Sequence, residues 1–185
     1  MSRFTARRAF CAAFLTVNRV GGSVVEPMTW QDVQAALDRF GLGLRVQLSQ
    51  TSTATSQQAA DTLGCELGQI AKSLCFMVDG QPVLVIASGD RRVDEKKLAD
   101  LRGVARKRIK IASAEECVAI FGYPPGSVPP VGLRTPGLPV YIEDSLARYT
   151  DIFAAAGAPN AVFPLTYAQL LHVTGGTVVD LKREG

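Results

Sequence analysis

The chain has 185 residues, 47% hydrophobic and 20% charged, the composition of one globular domain able to bury a substantial core. Its formal charge of +3 comes from the segment before Met28, where Arg3, Arg7, Arg8 and Arg19 face only Glu26; the rest is balanced at 16 residues of each sign, which argues against holding nucleic acid by bulk electrostatics alone. One histidine, His172, and four dispersed cysteines, Cys11, Cys65, Cys75 and Cys117, argue against a Cys/His zinc centre and against most histidine-based triads, so no metal is expected.

Residues 1–27 are expected to lie outside the fold, as an N-terminal extension. Arginine-rich flanks enclose an apolar run, Ala9 to Val17, that is too short to cross a membrane. No small-residue cleavage site follows it, so a weak targeting peptide, a disordered extension and a translation start at Met28 all stay open.

The domain is expected over residues 28–185. Thr29 caps a helix in which Trp30, Val33, Ala36, Leu37 and Phe40 recur at helical spacing, and Gly41 stops it. Arg45 to Leu48 alternates as a strand and leads into a hydroxyl-rich stretch, Ser49 to Ser56, that reads as a functional loop. Thr55 or Ser56 caps a second helix, Gln57 to Leu63, closed by Gly64.

The run Gln69 to Val78 sets a lysine inside an apolar strand. Ile70 and Leu74 share a face with Lys72, whereas Ala71, Ser73 and Cys75 take the other. Because lysine is rarely buried without a partner, Lys72 is either an edge lysine in water, where it discourages aggregation, or is aimed at an anion. Asp79-Gly80 predicts a hairpin turn into Pro82 to Ser88, which is apolar on both faces and so central.

Gly89 to Arg92 is a loop, and Val93 to Leu101 a helix with Leu98 and Leu101 inward. Arg106 to Ile111 reads as a strand with one solvated face. Ser113 and Glu116 form a capping box opening Ala114 to Phe121. Cys75 and Cys117 read as small buried hydrophobes. Gly122 to Gly132 is a stiff proline- and glycine-rich loop. Leu138 to Ile142, Asp151 to Ala156 and Ala161 to Leu165 are strands. A helix from Thr166 to Gly175 and a short strand, Val178 to Leu181, complete an α/β chain with a mixed, mostly antiparallel sheet of about seven strands and surrounding helices. The glycine loops match neither dinucleotide-binding nor P-loop spacing.

In this order the segments resemble the YbaK/prolyl-tRNA synthetase-associated editing domain. The resemblance runs from Val46 to Leu181 and rests on Ala59 to Gly64, Ile70 to Leu74, Gly89 to Leu98, Gly122-Tyr123, the G-x-x-x-P loop Gly126 to Pro130, Leu138 to Glu143, and Ala155 to Gly157. It implies a free-standing cytoplasmic deacylase acting in trans on mischarged aminoacyl-tRNA, chiefly alanine or cysteine on tRNA(Pro). Prolyl-tRNA synthetase is a further implied partner, and no cofactor, metal or membrane is called for. An alternative is a non-catalytic module of the same fold that holds a nucleotide, an RNA end or a synthetase.

Carried onto this sequence, the resemblance makes Lys72 the functional lysine, gripping a terminal phosphate or the carbonyl, and Gly126, Ser127 and Val128 the catalytic loop. Main-chain N–H groups of Ser127 and Val128 would supply the oxyanion contacts, since Pro129 and Pro130 have none. Thr51, Ser52, Thr53, Ser73, Pro130, Glu143 and Gly157 would bind substrate. Arg91, Arg92, Lys96 and Lys97, with Arg106, Lys107, Arg108 and Lys110, are candidates for the RNA backbone. Ser127 replaces a second glycine of the free-standing YbaK protein and Pro129 a serine, departures that bear on the substrate more than on the reaction.

Overall fold

The alternating apolar run Ile70–Val78 (β2) doubles back on Gln81–Ser88 (β3) through Asp79-Gly80, whose φ values of 50° and 77° are the pair of positive angles that a two-residue hairpin turn of matching twist requires. This computed structural model describes residues 25–183. Most of the expected N-terminal extension, with Cys11, therefore lies outside the described residues, and Val25 to Pro27 are exposed coil.

Around the hairpin, α1 (Trp30–Asp38), β1 (Gln47–Leu48) and α2 (Ser56–Leu63) precede β2, and α3 (Glu95–Arg102), β4 (Ile109–Ile111) and α4 (Ala114–Glu116) follow β3. The chain closes with β5 (Val140–Glu143), β6 (Asp151–Ala155), β7 (Ala161–Thr166), α5 (Tyr167–Thr174) and β8 (Thr177–Val179). Eight strands form one sheet in the order β1-β7-β6-β2-β3-β5-β8, with β4 on β2. Four pairings are antiparallel, and those of β2 with β6, β3 with β5 and β5 with β8 are parallel. The sheet is mixed and mostly antiparallel as expected, with several strands of only two or three residues. β3 is central: Val83 to Ser88 are all buried between β2 and β5.

Both sheet faces are covered. Ala71, Cys75, Met77, Leu84, Ile86 and Ile142 pack with Val33 and Leu37 of α1, with Phe121, Tyr123 and Val128, and with Leu170 and Val173 of α5. On the other face Phe76, Val78, Val83 and Val85 meet Leu98 and Ala99 of α3. Ala59 and Ala60 of α2 cover Ile70. Each large side chain so buried contributes about 1.5–3 kcal/mol.

Three local readings are corrected. Asp94 caps α3 through Lys96 and Lys97 N–H, and the helix presents Leu98 and Ala99 to the core, leaving Leu101 45% exposed; at about 100° per residue Leu101 points away from a face centred between those two. Arg106 to Arg108 is a 3-10 turn, so the strand is confined to Ile109–Ile111. The segment opened by Ser113 widens after Glu116 into a π-turn, Cys117–Phe121, that ends at Gly122 with φ 97°. Beyond it the Tyr123 hydroxyl donates to Gly132 O at 2.9 Å and ties the ends of the proline-rich loop together.

Candidate active site

β2 is paired with β6 only at Ile70–Phe153 and Ala71–Ala154, and with β4 only from Phe76 onward. Between them the sheet splits. Main-chain groups of alternate residues in a strand point the same way, and Cys75 O accepts from Ala112 N–H on this edge, so the N–H and C=O of Ser73 face the opening. The Ser73 Oγ is itself buried with no hydrogen-bond partner.

The opening is a cavity of about 60 Å³, space for a few waters or one small side chain. Its floor is Ile70 to Ser73; Thr53 to Ser56 and Ala59 form one wall, Gly126 and Val128 another, and Phe153 to Ala155 with Val162 the far side. Thr53 is pinned by its N–H and Oγ1, which donate to Pro159 O at 2.6 and 3.2 Å. Thr55 Oγ1 caps α2 by accepting from Gln58 N–H at 3.2 Å. Lys72, Ser73, Thr53, Gly126 and Val128 thus come together although up to 75 positions separate them in the chain.

The glycine loop is braced from behind. Ser127 N–H donates to Pro124 O at 3.1 Å and Ser127 O accepts from Gly157 N–H at 2.9 Å. The turn therefore consumes one of the two main-chain donors expected of this loop, and Val128 N–H is the one left. Gly157 has φ 84° and a Cβ there would stand 2.8 Å from the Tyr123 ring, so it serves by close packing. Pro130 is buried outside the cavity lining. Thr51 and Ser52 are exposed and line a separate open depression with Gln58, Asp61 and Thr62.

Lys72 is half-buried, and its Nζ donates to Gly89 O at 3.3 Å and to Arg91 O. Burial lowers its pKa; Asp90 and Glu143 oppose this and the charge of Arg92 reinforces it. Asp90 is gripped by Arg148 at 2.8 and 3.2 Å and by Ser88 Oγ at 2.7 Å. Burial raises the Asp90 pKa, but these hydrogen bonds and the nearby guanidiniums outweigh it and hold the carboxyl low. Glu143, a substrate-binding candidate from the resemblance, is 0% exposed at the end of β5, which lies between β3 and β8, and is outside the cavity lining. It accepts from Ser145 N–H at 3.1 Å and from Ser145 Oγ, and burial pushes its pKa up.

The basic candidates divide. Lys97 is paired with Asp180, Arg106 with Glu95, Arg108 with Asp79 and Lys110 with Glu116. Arg92, Lys96 and Lys107 are exposed, and Arg91, whose buried Nε has no hydrogen-bond partner, forms an ion pair with Asp90 at 3.8 Å. Cys75 and Cys117 lie in the core, and contact with the Cys117 thiol, then burial, drives the Cys75 pKa up. His172 packs edge-on against Phe40. No cluster of metal-ligating side chains occurs among the described residues, nor any helix long and apolar enough to cross a membrane. Sequence reasoning missed Ala54, whose carbonyl abuts Gly126, and the Phe153 to Ala155 wall; no local motif marks either.

The fold and cleft define an α/β domain with a small cavity at a break in its sheet, lined by main-chain and hydroxyl groups and by Lys72. The model of the aminoacyl-tRNA editing domain family matches residues 50–173, and the chain belongs to that family. The chain is 38% identical over 122 residues to the uncharacterized protein YwhH of Bacillus subtilis, covering 65% of this chain and 75% of that one. It is 34% identical to the proline–tRNA ligase of Solidesulfovibrio magneticus over 66% of this chain but only 19% of the ligase. Among solved structures, one described as a candidate trans-editing enzyme for prolyl-tRNA synthetase superposes with a TM-score of 0.78 at 40% identity, covering 84% of this chain and 97% of that one.

Proposed function

We propose that the protein is an aminoacyl-tRNA deacylase acting in trans, which hydrolyses the ester between a small amino acid, alanine or cysteine, and tRNA(Pro). The observation that carries this reading is the cleft where β2 and β6 part, with Lys72 in its floor and the Gly126 loop on one wall, inside the segment matched by the editing-domain family. The neighbour described as a candidate trans-editing enzyme and the similarity to part of a proline–tRNA ligase support prolyl-tRNA synthetase as the enzyme it serves.

Water attacks the ester carbonyl carbon, an oxyanion forms, the bond to the ribose oxygen breaks, and that oxygen takes a proton. Nothing in the cleft lining pairs a nucleophilic side chain with a histidine; a neighbouring ribose hydroxyl of the terminal adenosine orients the water instead. Val128 N–H stabilises the oxyanion as a fixed donor, and Lys72 leaves the Gly89 and Arg91 carbonyls to hold the terminal phosphate as a point charge. A small cavity suits the task, because a synthetase gains only about 1–3 kcal/mol of discrimination from a methylene and needs a second site to remove errors.

The test is a panel of mischarged tRNAs, alanyl- and cysteinyl-tRNA(Pro) first, incubated with the protein, with a Lys72→Ala variant and with buffer. Accelerated loss of one ester by the wild type alone supports the reading. Equal decay of every ester in all three sinks it and leaves the non-catalytic binding module.

A further inference from the structure

The family match ends at residue 173, yet the chain beyond it returns to the loop that carries Arg91 and Arg92. After β8, Leu181 O accepts from Asp94 N–H at 2.7 Å, Lys182 forms a bridge with Val93, and Arg183 N–H donates to Arg92 O at 2.7 Å. Leu181, 1% exposed, anchors this segment in the core beside Leu98. Two cations, Lys182 and Arg183, are thereby held against the loop that carries Arg91 and Arg92.

The loop is continuous with the cleft. A Cβ on Gly89 would lie 3.2 Å from the side chains of Ser56 and Ile70, both of which line the cavity, and Lys72 donates to Gly89 and Arg91 carbonyls. The neighbouring carboxylates are already engaged: Asp90 by Arg148 and Arg91, Asp94 in capping α3, and Asp180 chiefly by Lys97, with a main-chain hydrogen bond from Lys182. Arg92, Lys182 and Arg183 form no ion pair among the described residues, whereas Arg45, Arg106, Arg108 and Lys110 each do. Arg92, Lys182 and Arg183, free of ion pairs among the described residues and held by main-chain bonds beside the loop that adjoins the cleft, suit an extended polyanion.

We propose that residues 180–183 and the loop 89–92 form a track for the phosphate backbone of the RNA strand whose 3′ end enters the cleft, with Lys182 and Arg183 as positioning residues. The inference rests on the deacylase reading for the orientation of the strand. Each phosphate contact on a single strand contributes about 0.7 to the slope of log affinity against log salt.

The experiment measures binding of an uncharged, fluorescently labelled RNA hairpin with a single-stranded 3′ end to the full chain over a range of salt. Lys182→Gln/Arg183→Gln is expected to weaken binding and lower the salt slope by about 1.4, while Lys182→Arg/Arg183→Lys keeps both. Because Arg183 is stitched to Arg92 through the main chain, the exchange leaves that bond in place. The control is Arg39→Gln/Arg45→Gln; Arg45 precedes β1, at the sheet end opposite β8, and this variant keeps the wild-type slope. Unchanged affinity and slope for Lys182→Gln/Arg183→Gln overturn the track even if the wild type deacylates. Loss of slope in a protein that turns over no charged tRNA upholds the track and overturns the deacylase. A wild type that binds no hairpin overturns the track.

Discussion

Gly126 packs its Cα against the carbonyl of Ala54, so that a Cβ at position 126 would stand 2.7 Å from that oxygen, and its φ is 84°. The two loops that flank the cavity are thus fitted to each other through the one residue type without a side chain. Gly126→Ala meets both a left-handed backbone, costing about 1–3 kcal/mol, and a main-chain atom that cannot rotate aside. The wall moves, and misplacement near 1 Å costs about a hundredfold in turnover. Gly137 is the comparison: its φ is 71° but nothing lies within 4 Å of its would-be Cβ. Gly137→Ala is expected to lower the melting temperature and spare kcat/KM for the mischarged ester, whereas Gly126→Ala loses both.

Lys72 carries a charge that burial disfavours, which separates its contribution to stability from its proposed role. A lysine with a depressed folded pKa binds fewer protons folded than unfolded between that value and the unfolded one, near 10.4. Stability therefore rises with pH across this window, and below the folded value the penalty is fully present. Lys72→Met removes the charge and keeps the stem. It is expected to melt no lower than the wild type at pH 7 and to lose the rise in melting temperature that the wild type shows toward pH 10. Its deacylation falls to background. A variant that melts far below the wild type at pH 7 would mean that the two carbonyl contacts, and not a ligand, are what Lys72 is for.

The fold was legible where local chemistry dictates it. Asp79-Gly80, the Thr55, Ser113 and Thr166 caps and the alternation in β2 each state their structure within a few residues. The candidate site was legible only in part. Lys72 and Gly126 announce themselves as a charge in an apolar strand and a glycine between prolines. The break beside Ser73, however, depends on where β6 and β4 stop pairing, with partners about 35 to 80 positions away. Hydroxyl-rich Thr51 to Thr53 gave no hint that only Thr53 turns inward, because that choice is made by Pro159 O.

Glu143 offers a pH test of opposite sign. Its carboxyl has no exposure, and burial raises its pKa above the ordinary value of 4.5 despite the Ser145 hydrogen bonds. A raised carboxylate binds more protons folded than unfolded in the window from about 4.5 to its folded value, so stability falls as pH rises through that window. Glu143→Gln is expected to melt higher than the wild type at pH 7.5, with the gap closing below about pH 4.5, where both side chains are neutral. Thermal melts at several pH values measure this; a gap that widens on acidification would place the ionised form, not the neutral one, as the better fit to the site.

Ser73 supplies the sharpest separation of fold from function. Its Oγ is buried at the cleft floor with no partner, so removing it forfeits no hydrogen bond within the protein, and a desolvated hydroxyl without a partner is itself a cost. Ser73→Ala is therefore expected to leave stability unchanged within about 0.5 kcal/mol or to raise it. If the hydroxyl meets the substrate or the attacking water, the same change costs one hydrogen bond of about 1 kcal/mol, or roughly fivefold in kcat/KM. Ser73→Val, which fills the cavity of about 60 Å³ with apolar bulk, is expected to cost more, since it competes with the substrate side chain for the same volume. Turnover that is indifferent to both substitutions would remove the cleft floor from the reaction and move the search for substrate contacts to the outer depression at Thr51 and Ser52.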